Sequence, residues 1–357
     1  MKTLLVGYKA ADLTPELLEG DVTCHVLDIY HRHAIEKVHH AKVVCSPHLP
    51  EGPWDVVRFK TGPKLMSGEL ALDLLQEISQ LLRSGEDAAS PLSKDRRFHL
   101  DFVGKERDRN DLLNKITDDP KRVRSFKAEW PASVPGGEKL MFTSYPGCFC
   151  HRRLDEGGLA LAEVVSREML KSTEACASGD LSSDQPTNTP LAPALQLGLR
   201  PRVIWPTDQV RNLKILDMGC GCGLVGFLIA NRLASACPRG RGRYGLVMVD
   251  SHARAVEAAT ENAAKFGIDA EVILSDNGTP ERMDGTFDVF VGNPPYYSDY
   301  RIAEVFLETA KRALKPDGIC YTVVKNAAGL KPVQERYFPH VEVIGRRGYN
   351  VLRSVKE

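Results

Sequence analysis

LKILDMGCGCGLVGFLIANRLA, residues 213–234, is the stretch on which the fold turns. An apolar run reaches Asp217, three glycines follow at alternate positions (Gly219, Gly221, Gly223), and a second, longer apolar run begins at Leu224. A short apolar run closed by glycines reads as a strand and a tight turn, and the longer run as a buried helix. Glycine admits left-handed backbone angles and lets a ligand come close, while the following helix offers unsatisfied amide hydrogens at its start. A literal GxGxxG lies at Gly221, Gly223 and Gly226, so a dinucleotide site and a merely structural turn are both open to this loop alone.

Working outward, the same rhythm continues to the carboxy terminus. YGLVMVD is a second strand, HARAVEAATENAAKFG a helix closed by glycine, and AEVILSD and FDVFVGN two further strands. YRIAEVFLETAKRALKPDG sets Ile302, Val305, Phe306, Ala310, Ala313 and Leu314 on one helix face and stops at Pro316 and Gly318, ahead of the strand ICYTVV. Strands alternating with helices predict a parallel α/β sheet covered on both faces, with ligands outside the carboxyl ends of its strands. Upstream, MFTSYPGCFCHRRLDEGGLALAEVVSREML reads as a lead-in turn and a helix of the same domain. Between them, residues 172–206 are rich in Ser, Thr, Pro and Gly, the composition of a polar surface insertion.

The amino-terminal third repeats the pattern more faintly. TLLVGYKA, CHVLDIY, AKVVCS, WDVVRFKTG and RFHLDFVGKE are candidate strands, and SGELALDLLQEISQLLRSG an amphipathic helix. Where the later copy has its glycines, this one has VGYKAADLTPE. Residues 1–125 therefore read as a domain related to residues 126–357 by duplication, with the chemistry removed.

Composition bounds the rest. The 357 residues carry 47 Lys+Arg against 47 Asp+Glu, so no global field advertises a polyanion, and an RNA partner would have to meet a local patch. KDRRFHLDFVGKERDR, KRVRSFKAEW, Arg152, Arg153, Arg346 and Arg347 are the candidates, set against the ordinary reading of charge runs as solvated faces. Nine cysteines without a CxxC pair argue against a disulfide framework and a zinc ribbon, and His31, His33, His39 and His40 read as a polar helix surface, so no metal is expected. The apolar start MKTLLVGYKAADL is interrupted by Lys9 and Asp12 before it has the length of a signal peptide, and no stretch is long enough for a membrane span; a cytoplasmic address follows.

Chemistry gathers at the strand ends. Asp250 closes the second strand, where a carboxylate suits ribose hydroxyls, Asp276 closes the third, near where an adenine would lie, and each alone could equally be a helix cap. After the fourth strand comes VGNPPYYSDY, with Asn293, Pro294, Pro295 and Tyr296 in succession. Two prolines end a strand abruptly and aim nearby carbonyls, which suits a site that presents acceptors.

The loop around Asp217, the acidic Asp250 and the Asn293–Tyr296 tetrapeptide resemble the class I S-adenosylmethionine-dependent methyltransferases that act on planar nitrogens. PGCFCHRRLDEGG, NPPYYSDYRIAEVFLETAKRALKPDG and VEVIGRRGYNVLRSVKE narrow the likeness to the RsmC/RlmG-type ribosomal RNA guanine-N2 methyltransferases. The resemblance implies two tandem Rossmann-like domains, a degenerate amino-terminal one and a catalytic one built on a seven-stranded sheet. It implies S-adenosylmethionine held by Asp217, Gly219, Gly221, Gly223, Asp250, Asp276 and Asn293, with Phe149 and Asp155 bordering its pocket. In this reading the Asn293 oxygen and the Pro294 carbonyl accept from the target amine, the Tyr296 ring stacks on the base, and a monomer acts on ribosomal RNA or a ribosomal subunit particle. The chain departs from the family at Tyr296 and Tyr297, where phenylalanine and histidine are more usual, and at Cys150, where serine is. Adenine or glutamine-amide methylation, and a non-catalytic RNA-binding assembly factor, are the alternatives.

Overall fold

The computed structural model describes residues 1–82, 92–116, 125–177, 213–236, 244–295 and 300–357. Most of the polar insertion, and the Lys121–Arg124 part of the second basic run, lie outside these residues. The amino-terminal half comprises β1 (Lys2–Val6), β2 (Asp21–Val26), α1 (Ile29–His39), β3 (Lys42–Cys45), β4 (Val56–Thr61), α2 (Gly68–Leu82), β5 (Phe98–Phe102) and α3 (Glu106–Leu113). Its five strands form one parallel sheet in the order β3-β2-β1-β4-β5. Leu4, Leu5 and Val6 of the central strand are fully buried, as a parallel strand covered on both faces requires.

Next comes a hairpin, β6 (Ala128–Ala132) and β7 (Leu140–Ser144), which the sequence reading took as a plain lead-in. Then follow α4 (Glu156–Ala177), β8 (Lys214–Met218), α5 (Leu224–Ala236), β9 (Gly245–Asp250), α6 (Ala253–Phe266), β10 (Ala270–Leu274), β11 (Phe287–Gly292), α7 (Arg301–Ala313), β12 (Leu314–Val324), α8 (Ala327–Glu335), β13 (Glu342–Arg346) and β14 (Tyr349–Val355). These strands make a seven-stranded sheet, β10-β9-β8-β11-β12-β14-β13, parallel except for β14, which runs antiparallel to both neighbours. Its first five positions repeat the order of the smaller sheet.

Alternation along the strands builds the core. Ile215 of β8 faces the cluster that holds Leu161 and Val165 of α4 and Leu228 of α5, whereas Leu216 faces Phe306, Leu307 and Ala310 of α7. The hairpin belongs to the first cluster: Trp130 stacks on Phe142 with ring centroids 5.2 Å apart, and Phe142 meets Phe266 of α6 edge-on at 5.1 Å. β12 starts earlier than the ICYTVV segment, because Leu314 already pairs with Phe287 and the Asp317 N–H reaches the Lys356 carbonyl at 2.9 Å.

The halves meet where each second strand hands over to its helix. Asp28 and His252 form an antiparallel bridge in which Ile29 N–H donates to the Ser251 carbonyl (2.9 Å) and Ala253 N–H to the Leu27 carbonyl (2.6 Å). Arg254, 1% exposed, extends from α6 to Asp73 and Glu77 of α2 and to the Pro47 carbonyl. In the amino-terminal half the place of the glycine loop is filled: Tyr8 and Leu13 are buried, and the Lys60 ammonium pairs with Asp12 at 2.6 Å beside the Tyr8 ring. Among the described residues no helix is long and apolar enough to cross a membrane.

Candidate active site

Strand order reverses beside β8, so a crevice opens outside the carboxyl ends of β8 and β11. Asp217, in β8, is 2% exposed and accepts the Gly226 N–H at 2.8 Å, tying the strand to the first turn of α5. Burial pushes its carboxyl up to about 7; the Gly226 bond opposes this and the Asp250 charge adds to it. The three glycines all take positive φ, for different reasons. A side chain at Gly219 would strike the Phe306 ring and one at Gly223 the Phe227 ring, whereas one at Gly221 would meet nothing within 4 Å. Packing therefore explains the outer two, and the middle one faces open space. Gly226 is a packing glycine against Met248, so the GxGxxG coincidence reflects helix–strand closeness.

Asp250 ends β9, accepting Gly221 N–H on Oδ2 (2.8 Å) and His252 N–H on Oδ1 (2.9 Å). It thus braces both the glycine loop and the turn into α6, whose N-cap position belongs to His252 rather than to Asp250. Asp276 lies two residues beyond β10, and its Oδ2 is 3.1 Å from Nδ1 of His33, which projects from α1 of the other half. Of the histidines expected to be mere polar surface, His33 and His39 have specific partners, the latter at the Ala10 carbonyl, 2.7 Å away.

Asn293 follows β11 and donates its amide N–H to Asp155 Oδ2 at 2.8 Å. The other oxygen of Asp155 accepts the Gly157 N–H at 3.1 Å, so the carboxylate caps the start of α4 while it holds Asn293. Burial raises the Asp155 carboxyl above its ordinary range, opposed by the bonds from Asn293, Gly158 and Gly157. With its nitrogen committed to a carboxylate, the Asn293 amide presents its oxygen as the remaining acceptor. Pro294 is buried; Tyr296 lies outside the described residues. Phe149 is 66% exposed, flanked by a left-handed Cys150, so its ring is not a core aromatic.

Two residues here escaped the sequence reading. Asn262, fully buried on α6, donates to the Thr143 and Cys222 carbonyls (both 2.9 Å) and accepts the Thr143 N–H (2.8 Å), fastening hairpin and glycine loop together. Arg254 anchors the other half. The signal for both was a polar residue on the alanine face of HARAVEAATENAAKFG. The basic candidates are less available than their number suggests: Arg97 binds Asp95, Arg152 binds Glu69, and Arg346 and Arg347 both grip Glu163, itself 5% exposed.

Comparison with known proteins bears on this arrangement. Residues 205–353 match the family model described as methyltransferase small domain. That match spans most of the carboxy-terminal sheet, from ahead of β8 into β14. The ribosomal RNA small subunit methyltransferase C of Haemophilus influenzae (strain PittGG) is 29% identical to this chain over 147 residues, 40% of this chain and 42% of that protein. The protein of the same name from Marinomonas sp. (strain MWYL1) is 24% identical over 296 residues, 79% of this chain and 70% of its own. The chain thus aligns with about two fifths of the length of the first of these relatives. Among solved structures, a T. thermophilus 16S rRNA N2 G1207 methyltransferase, in complex with AdoMet and guanosine, superimposes with a TM-score of 0.67 at 16% identity, covering 100% of this chain and 88% of its own. That likeness extends the shared fold across both halves of the chain, beyond residues 205–353.

Proposed function

We propose that this chain transfers the methyl group of S-adenosylmethionine to the exocyclic N2 amine of a guanine in ribosomal RNA. The observation that carries the reading is the Asn293–Asp155 bond, which turns the asparagine oxygen outward beside a rigid diproline corner. The cofactor fits the residues present: a glycine loop with open space at Gly221, a carboxylate at Asp250 after the second strand, and another at Asp276 after the third. When bound, it supplies an electrophilic methyl on a sulfonium.

The chain's own groups then have a geometric task. An aromatic amine is a poor nucleophile because its lone pair is delocalised into the ring. The Asn293 oxygen and the Pro294 carbonyl, each accepting one N–H, hold the amine so that the pair points at the methyl carbon, and Tyr296 is assigned to stack on the base. Alignment of this kind is worth roughly 7 to 11 kcal/mol for well-placed reactants. Asp155 keeps Asn293 in the accepting orientation, and Phe149 borders the pocket from the lead-in.

Residues 126–357 are read as the catalytic domain, since the hairpin from residue 128 shares its core, and residues 1–125 as a degenerate copy with its ligand space filled by Tyr8, Leu13 and Lys60. Ribosomal RNA or a subunit particle is the proposed partner of a monomeric enzyme. The names of the relatives and of the structural neighbour support the substrate class. Incubating the protein with labelled S-adenosylmethionine and ribosomal RNA from a strain lacking it, then analysing nucleosides, should yield N2-methylguanosine. Label in N6-methyladenosine, or none in RNA, would reject the assignment.

A further inference from the structure

The carboxyl ends of the strands beyond Asn293 carry a second arrangement to which the mechanism above gives no part. Lys325 follows the last residue of β12, the strand beside β11, after which Asn293 comes. Tyr349 opens β14, whose Asn350 pairs with Val324. The two side chains meet: the Lys325 ammonium lies 4.5 Å from the centroid of the Tyr349 ring. Asn350 Nδ2 donates to the Lys325 carbonyl at 3.0 Å and fixes the backbone beneath the pair.

This pair adjoins the candidate active site. A Cβ added at Gly157 would come within 3.2 Å of Tyr349 Cε1 and 3.4 Å of Asp155 Oδ1, so only a glycine backbone separates the ring edge from the carboxylate that orients Asn293. Neighbouring cations are neutralised: Arg346 and Arg347 bind Glu163, and Arg347 also reaches Glu156. Lys325 is exposed and has no carboxylate partner among the described residues. The turn that delivers Tyr349 is built from Arg347 and Gly348, both at positive φ, the tight two-residue geometry that sets register in hairpins.

Resting on the methyltransferase reading, the geometry points to Lys325 and Tyr349 as a seat for the single RNA strand beside the target nucleotide. The Lys325 ammonium, held over the half-buried Tyr349 ring, takes the phosphodiester, and the part of the ring left exposed takes the flanking base. An unneutralised cation joined to an aromatic platform is the chemistry that holds unstacked polynucleotide, since stacking tolerates any base and charge follows the backbone.

The test uses the full chain. A short single-stranded RNA of mixed sequence, fluorescently labelled, is titrated at several salt concentrations, and S-adenosylmethionine binding is measured by calorimetry on the same proteins. Lys325→Gln should weaken RNA binding and reduce the log–log salt slope by about 0.7, the loss of one phosphate contact to a single strand. Tyr349→Leu should weaken RNA binding roughly tenfold without altering that slope, while Tyr349→Phe keeps the affinity. Cofactor affinity should be unchanged throughout. An unaltered salt slope in Lys325→Gln, or a fall in cofactor affinity parallel to that for RNA, would overturn the proposal. Wild-type protein that neither binds the cofactor nor methylates RNA defeats the underlying reading instead; wild-type methylation with Lys325→Gln indistinguishable from it defeats this inference alone.

Discussion

Asp28 and Asp250, on the two sides of the contact between the halves, bond alike: each accepts, on Oδ1 at 2.9 Å, the backbone N–H two residues ahead, from Tyr30 and His252 respectively. Their second oxygens differ. Asp250 takes the Gly221 N–H of the glycine loop, whereas Asp28 takes the Ser251 hydroxyl of the other half at 3.0 Å. One carboxylate braces the glycine loop and the other the contact between the halves. Calorimetry on the whole chain should therefore find one equivalent of S-adenosylmethionine bound, and Asp250→Ala should remove it while Asp28→Ala lowers affinity only modestly. Two equivalents would mean that Tyr8 and Lys60 do not close the first pocket.

The Asn293–Asp155 bond separates orientation from binding. Asn293→Ala should lower kcat by about a hundredfold or more, since misplacement near one ångström costs that much, and leave cofactor affinity within a few-fold. Asp155→Ala should lower kcat by roughly tenfold through a released amide, with partial recovery in Asp155→Asn, which can still accept from Asn293. Rates for the two Asp155 variants that do not differ would mean that the carboxylate serves only as a helix cap.

His33 reaches across the domain boundary to Asp276, a carboxylate assigned to the adenine end of the cofactor site. Removing it in His33→Ala should raise the KM for S-adenosylmethionine a few-fold at constant kcat, because the carboxylate loses its restraint without leaving the pocket. A change in kcat alone would place His33 outside this role.

Arg254 is the buried link between halves. Arg254→Met leaves Asp73 and Glu77 facing an apolar chain, a loss expected to cost roughly 3 to 5 kcal/mol of stability. Thermal unfolding should show a midpoint lowered by several degrees, and triple replacement with Asp73→Asn and Glu77→Gln should restore part of it. No recovery in the triple variant would show that packing of the arginine stem, rather than its charge, joins the halves.

His25, 1% exposed with Nε2 3.0 Å from the Ser46 carbonyl, has its pKa pushed down to about 4 by burial, with the Arg254 charge adding to the effect. Its folded value lies below the unfolded one, so between about 4 and 6.5 the unfolded chain binds more protons, and stability contributed by the neutral ring is lost as pH falls through that window. Going from about pH 7 to about pH 5, the unfolding midpoint should fall less in His25→Gln than in wild type. Equal falls would assign the acid sensitivity elsewhere, for example to His252, also held near 4 by burial.

Local pattern alone determined much of this protein. Apolar strand runs, glycine-closed turns and alanine-faced helices are short-range signals, so the strands of the smaller sheet, β8 to β12 of the larger one, the glycine loop and the order of Asp217, Asp250, Asp276 and Asn293 could be read directly from the chain, whereas β13 and β14 were not. Only the tertiary structure decided which atoms meet. Asn293 and Asp155 are separated by 138 positions, His33 and Asp276 by 243, and no periodicity reports a pairing at such distances. The hairpin at Ala128–Ser144 was missed for a similar reason: its strands earn their stability from aromatic packing on α6. A linear count of arginines likewise could not show that Arg346 and Arg347 are both held by the buried Glu163.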